Sequence, residues 1–378
     1  MKINSTIDLF CGVGGITHGF RLEGLNVVAG VDSDVSCEYP YTNNNPGTTF
    51  LHKKVEELDP VELLQLYPAD AIKILVGCAP CQEYSKYAKR YAKAINVAAL
   101  EGDDTSVVPD SLQEELGTEA DNAQDKWDLL GAFADLIDAV DPDIVSMENV
   151  PELEEYKDGS IFETFVDRLT PRYNVTWYTV YCPDYGIPQS RTRLVLFAST
   201  LGKVNLVKKT HTSETYRTVR DAIGDLPPLQ AGEVCCQDPL HRAAGLSDLN
   251  LRRIRHSLPG GTWRDWPLEL RANCHTKDSG KSYASVYGRI TWDDPAPTIT
   301  TQSYGYGSGR FGHADQDRAL SLREAALLQT FPEGYVFKAP EEAWSFKTIG
   351  RRIGNAVPVD LGRVVARSIV HHLEEYDA

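Results

Sequence analysis

Long apolar runs are what this chain of 378 residues most plainly lacks. No uninterrupted hydrophobic stretch approaches the roughly 20 residues that cross a bilayer. Met1-Lys2-Ile3-Asn4 leads straight into a strand pattern, without the apolar core of a secretory signal. The expectation is a cytoplasmic protein with no membrane partner. Cysteine is sparse: Cys11, Cys37, Cys78, Cys81, Cys182, Cys235, Cys236 and Cys274 are scattered along the chain, which argues against a disulfide framework and makes reduced thiols the default. Positive charge is short as well. With 38 Lys and Arg against 54 Asp and Glu, the net charge of −16 excludes a general polyanion binder and leaves room only for a localised basic face. What is present is 42% hydrophobic residues, enough over this length for a sizeable core in one large and one small domain.

The organising stretch is Gly77-Cys78-Ala79-Pro80-Cys81-Gln82, which follows the apolar run 72–76. A short apolar run bounded by Gly and Pro reads as a buried strand ending in a sharp turn. Cys81 then stands just past the carboxyl end of a strand, where open α/β sheets place their chemistry. A nucleophilic thiol, a small buried hydrophobe and a Cys78/Cys81 redox or metal pair all fit that position. Upstream, 5–10 reads as a first strand, followed by Cys11-Gly12-Val13-Gly14-Gly15 and a helical pattern through Leu22. Such a turn lets backbone N–H groups approach a nucleotide-like ligand, and it also describes an ordinary tight βα connection. A second strand, 26–31, ends in Asp32, where doubly wound folds hold a ribose hydroxyl. Gly12, Gly14 and Asp32 together favour an adenosine-containing cofactor.

After Cys81, Tyr84, Lys86, Tyr87, Lys89, Arg90, Tyr91 and Lys93 interleave aromatic and cationic side chains, which suits a loop meeting a nucleic-acid backbone or a solvated helix face. Residues 101–121 hold eight acids and no Lys or Arg, and read as a flexible insertion. A helical pattern over 60–66 and a helical spacing of Trp127, Leu130, Phe133, Ala134 and Ile137 flank these segments. The strand 143–147 delivers Glu148-Asn149-Val150-Pro151 to the same sheet edge as Cys81, where an acid is either a helix cap or the partner of a thiol. Gln189-Ser-Arg191-Thr-Arg193 then opens a strand through 198, and alternation points Gln189, Arg191 and Arg193 to one face.

In this order the segments resemble the bacterial, restriction-modification type of DNA (cytosine-5)-methyltransferase. Asp8-Leu-Phe-Cys-Gly-Val-Gly-Gly15 is similar to the first motif of that family, Pro80-Cys81-Gln82 to its nucleophile motif, and Glu148-Asn149-Val150 to its acid motif. Gln189-x-Arg191-x-Arg193, residues 320–329 and Gly354-Asn355-Ala356-Val357-Pro358 match three later ones. The resemblance implies an α/β fold: a Rossmann-like domain with a mostly parallel sheet, binding S-adenosyl-L-methionine, plus a smaller target-recognition domain. It places the catalytic domain at 1–200, recognition at 201–340, and 341–378 back against the catalytic domain. It also implies methyl transfer to C5 of a flipped-out cytosine in double-stranded DNA through a Cys81–C6 adduct. Glu148 would bind the base, with Arg191 and Arg193 as its neighbours. Phe10, Gly12, Gly14, Asp32, Pro80, Asn355 and Val357 would hold the cofactor, with no metal. Gln82 and Ser85 would face the DNA, and a separate cognate restriction endonuclease is the implied partner.

Three departures from the family pattern stand out: Cys78 and Ala79 precede Pro80, Lys54 falls near the place of an adenine-binding acid, and the 101–121 stretch lengthens the chain after the nucleophile. Between 201 and 318, sixteen Lys and Arg meet thirteen Asp and Glu, so an acidic protein contains a less acidic half. Arg255, Arg264, Arg289 and Arg310 are its candidate DNA readers, each equally a candidate for phosphate contact or plain surface. Cys235, Cys236, His241, Cys274 and His275 have irregular spacings and read as ordinary residues rather than a zinc site. An RNA cytosine-5 methyltransferase, a non-catalytic DNA-binding regulator and a Cys78/Cys81 redox protein are the competing functions.

Overall fold

The computed structural model describes residues 3–80, 128–276 and 284–377. Cys81, Gln82, Ser85, the Tyr84–Lys93 loop and the acidic 101–121 stretch lie outside the described residues.

Seven strands form the main sheet: β1 (Asn4–Leu9), β2 (Val27–Asp32), β3 (Thr49–His52), β4 (Ile72–Gly77), β5 (Ile144–Asn149), β6 (Asn174–Tyr181) and, after the short β7 (Gln189–Ser190), β8 (Thr192–Ser199). Their order is β3-β2-β1-β4-β5-β8-β6. Neighbours are parallel from β3 to β5, and β8 alone runs against both of its neighbours. This is the α/β, mostly parallel sheet expected from the sequence. β1, at the point where the strand order reverses, is flanked by β2 and β4, so their carboxyl ends open one crevice.

The strands are near-continuous apolar runs because both sheet faces are covered. On β8, Leu194, Leu196 and Ala198 join one core with the helices Pro60–Leu66, Asp128–Val140 and Ser160–Leu169, while Val195 and Phe197 join another with the C-terminal helix Val359–Asp377. Capping sets where the helices begin. The Asp59 carboxylate accepts from Val61 N–H at 2.9 Å just ahead of Pro60.

The helix Val359–Asp377 lies on the helix Gly15–Leu22 through glycine. A Cβ on Gly15 would sit 2.2 Å from the Val357 carbonyl oxygen, and one on Gly19 would sit 2.5 Å from that of Val359. Only hydrogen fits between these backbones. A third core joins Val13 and Cys37 to Val219, Ile290, Ile299, Leu322, Ile353 and Val359, so residues on both sides of position 340 share one interior. A smaller one gathers Ile254, Trp263, Trp266, Leu270, Val286, Tyr306 and Ala319. Among the described residues no helix is long and apolar enough to cross a membrane.

One local expectation is corrected. The strand through Gln189, Arg191 and Arg193 is broken: β7 leaves the main sheet to pair with β9 (Ala296–Pro297), and only from Thr192 does the chain join β5. The Gln189 carbonyl accepts from Arg191 N–H at 2.8 Å across the bend. Gln189 therefore turns into the interior, away from the two arginines.

Candidate active site

A cavity of about 650 Å³ opens at the carboxyl ends of β1, β2, β4 and β5. That volume suits a small organic ligand. On one side the chain leaving β1 turns through Phe10 (φ 59°), Gly12 (φ 50°) and Gly14 (φ 90°) into the helix Gly15–Leu22. These left-handed conformations are the reason for glycine at 12 and 14. No atom lies within 4 Å of where a Gly12 Cβ would be, so the backbone there faces open space. Gly12 N–H donates to Asp32 Oδ2 at 2.8 Å, and Asp34 N–H donates to Oδ1 at 2.8 Å. The Asp32 carboxylate is thereby fixed beside the glycine turn, and burial pushes its pKa up. Asn355, Ala356 and Val357 extend the wall beside this turn, with Val357 packed against Gly15. A glycine turn, an acid at the end of β2 and this volume fit an adenosine-bearing molecule.

Asp8, at the floor, is 1% exposed. It accepts from the Thr17 hydroxyl at 2.6 Å, and burial pushes its carboxyl up to about 7 despite that bond. Lys53, Lys54, Val55 and Ser33 also line the cavity, and none stands out from sequence beyond the position of Lys54.

The other side carries different chemistry. Cys78, Ala79 and Pro80 follow β4, Glu148 ends β5, and Arg191 and Arg193 enter β8, all on the same cavity. Glu148 is 7% exposed, and its Oε1 lies 3.0 Å from Arg193 Nε. Burial and the neighbouring Glu148 charge push the Cys78 thiol well above its ordinary range. Asn149 Nδ2 donates to the Ala79 carbonyl at 3.2 Å, tying the end of β5 to the turn that leads through Pro80 to Cys81. The sequence marks Asn149 only as the polar neighbour of the acid. It does not show the Arg351 to Asp34 ion pair at 2.7 Å either, which bridges the cavity rim across more than 300 residues.

A family model described as C-5 cytosine-specific DNA methylase matches residues 4–100 and 115–371. The chain belongs to the C-5 cytosine-specific DNA methylases. It is accordingly a DNA cytosine-5 methyltransferase. Type II methylase M.HgiDII of Herpetosiphon aurantiacus is 53% identical over 98% of this chain and 96% of its own length. Type II methyltransferase M.Sau96I of Staphylococcus aureus is 25% identical over 100% of this chain and 78% of its own. Among solved structures, a DNA modification methyltransferase encoded within an E. coli prophage superposes with a TM-score of 0.70 at 19% identity, over 98% of this chain and 99% of that one. The last likeness concerns the fold alone.

In this methylase the four candidate DNA readers part company. Arg289 is corrected: it is 5% exposed and turned inward. Its guanidinium donates to the carbonyls of Ile254, Ser257, His313 and Gln316 and to Asp317 Oδ1, so no edge is left for a base. Arg310 is half-buried and donates to the Gly261 carbonyl at 2.9 Å. Arg255 is exposed with its Nε 3.2 Å from Asp317, and exposed Arg264 lies 5.6 Å from the Trp263 ring. Of the residues weighed for zinc, His241 has both ring nitrogens engaged, by Ser321 Oγ at 2.9 Å and the Pro227 carbonyl at 2.8 Å.

Proposed function

We propose that this methylase uses S-adenosyl-L-methionine to methylate C5 of a cytosine flipped out of a specific double-stranded DNA sequence, with Cys81 as the nucleophile. The observation that carries the reading is one cavity lined both by Gly12, Asp32 and Asn355–Val357 and by a buried Glu148 paired with Arg193. S-adenosyl-L-methionine, when bound, supplies an electrophilic methyl group on a sulfonium. Asp32 is placed to hold ribose hydroxyls, Phe10, Gly12, Gly14 and Pro80 to bound the cofactor, and Asn355 and Val357 to meet its amino-acid end.

The chain's own residues do the rest. The Cys81 thiolate adds to C6 of cytosine, which makes C5 electron-rich. Glu148, in its acid form, donates to N3 and accepts from the exocyclic amino group, so that charge developing in the ring is met by its proton. Arg193 fixes the Glu148 carboxyl, and Arg191, 5% exposed and lining the same cavity, is assigned to the base carbonyl. Once C5 has taken the methyl group, loss of its proton to a solvent water expels Cys81 as the thiolate and restores the aromatic ring. Asn149 holds the Ala79 carbonyl, two residues ahead of Cys81 in the chain. The likeness to Type II methylases supports a protective role beside a separate restriction endonuclease, in the cytoplasm.

The test is a duplex carrying 5-fluorocytosine at the target, where no C5 proton can leave. The wild-type chain should form a denaturant-resistant adduct that Cys81→Ser does not form. Glu148→Gln should lower turnover on ordinary duplex by at least about a hundredfold, the usual range for losing a positioned acid or base. A Cys81→Ser variant that still methylates DNA, or transfer to tRNA alone, would overturn the proposal.

A further inference from the structure

Two buried glutamines outside the cavity connect its parts. Gln189 and Gln329 are each fully buried, at 0% exposure. Gln189 Nε2 donates to Gln329 Oε1 at 2.9 Å and to the Leu328 carbonyl at 3.0 Å. Its Oε1 accepts from Ile299 N–H at 3.0 Å. Gln329 Nε2 donates to the carbonyls of Ile353 at 2.9 Å and Ala356 at 3.1 Å. The Gln329 backbone carbonyl accepts from Val359 N–H at 3.1 Å. Both donors and the oxygen of each amide are used, so the pair forms a closed, satisfied network.

The groups it grips are particular ones. Ile353 and Ala356 lie at the end of the helix Phe346–Asn355, where backbone carbonyls have no partner within the helix. Val359 begins the C-terminal helix, whose first N–H groups are likewise without helical partners. Between them lies Asn355-Ala356-Val357, the part of the cavity wall packed beside the glycine turn. Gln329 thus holds both sides of that turn, and Gln189 ties the hold to β7, just ahead of Arg191, and to Ile299, just after β9.

We infer that Gln189 and Gln329 are positioning residues that pre-form the Asn355–Val357 wall for the cofactor. The inference rests on the reading of the cavity as the S-adenosyl-L-methionine site. Without the Gln329 amide, two buried carbonyls lose their donors and the turn relaxes. The binding-competent wall is then populated only part of the time, which weakens ligand binding in proportion. Chemistry on the Glu148 wall, once the cofactor is bound, is little changed.

The test is titration calorimetry of S-adenosylhomocysteine with the wild-type chain and with Gln329→Met, a substitution that keeps length and removes the amide. Steady-state kinetics and urea unfolding of both accompany it. The expected result is a Kd and a cofactor KM raised about tenfold, with kcat at saturating cofactor within about threefold of wild type, as expected when only pre-organisation is lost. Should Gln329→Met fail to fold, Gln189→Met, which leaves both donations to Ile353 and Ala356 in place, should raise Kd about threefold. A folded variant with lowered urea stability but an unchanged Kd would show a merely structural role and overturn the inference. If the wild-type chain did not bind S-adenosylhomocysteine, the cofactor reading would fall first and the positioning role with it.

Discussion

Asp8 gives the sharpest pH-dependent expectation. Its carboxyl is 1% exposed and, with burial outweighing the Thr17 hydrogen bonds, titrates at about 7 rather than near its ordinary value of 3.8. A group whose folded pKa is raised binds more protons folded than unfolded, so its contribution is whole below about 4 and is lost as pH climbs to about 7. From pH 5 to pH 8 a shift of this size removes about 2–3 kcal/mol of stability. Asp8→Asn keeps an oxygen for the Thr17 hydroxyl and has nothing to ionise. Urea unfolding of both proteins at several pH values between 5 and 8 is the assay. Any pH-independent cost of the substitution, such as an unmatched amide N–H, cancels when the difference at pH 5 is subtracted from that at pH 8. The variant should gain about 2–3 kcal/mol relative to wild type across that range. A difference that stays flat within about 0.5 kcal/mol would refute the reasoning, because Asp8 would then be ionised in the folded protein throughout.

Other expectations follow from the same geometry. Arg289→Ala should lower unfolding stability by about 3 kcal/mol, because the Asp317 carboxylate and four carbonyls lose their donor, whereas exposed Arg255→Ala should change it by less than about 0.5 kcal/mol. Gel-shift titration should show the opposite order, with weaker DNA binding in Arg255→Ala at unchanged fold. Glu324, 1% exposed, takes a two-pronged grip from buried Arg318 at 2.6 and 2.7 Å, which outweighs desolvation and holds its carboxyl down to about 2. Glu324→Gln should cost about 3 kcal/mol at pH 7. Because the folded pKa is depressed, that loss should shrink as pH falls below about 4.5 toward 2, read from urea midpoints.

The sheet was legible because its central strands are apolar runs closed by Gly, Pro or an acid, and burial on both faces demands that pattern. β3 was not, since Thr49–His52 is an edge strand that is half to fully exposed and has no apolar run to announce it. The spacing of Arg191 and Arg193 placed both on one wall with Glu148, yet it also misled for Gln189. Alternation assumes an unbroken strand, and the break after Ser190 depends on a pairing with Ala296–Pro297 more than 100 residues away. Arg289 failed as a DNA reader for a related reason. Its partners are carbonyls and a carboxylate brought from two separate segments, 254–257 and 313–317, and no local pattern distinguishes it from exposed Arg255 or Arg264. The link between Gln189 and Gln329 was hidden in the same way, because it exists only once Ile299, Leu328 and Ala356 meet.

The central claim is that this chain, acting through Cys81, methylates cytosine in DNA at one sequence. Bisulfite sequencing of plasmid DNA from cells expressing the chain, beside cells expressing Cys81→Ala, tests it directly. The expected result is conversion-resistant cytosines confined to one short motif in the first sample and none in the second. Fully converted DNA in both, from cells in which the wild-type chain is folded and abundant, would contradict it.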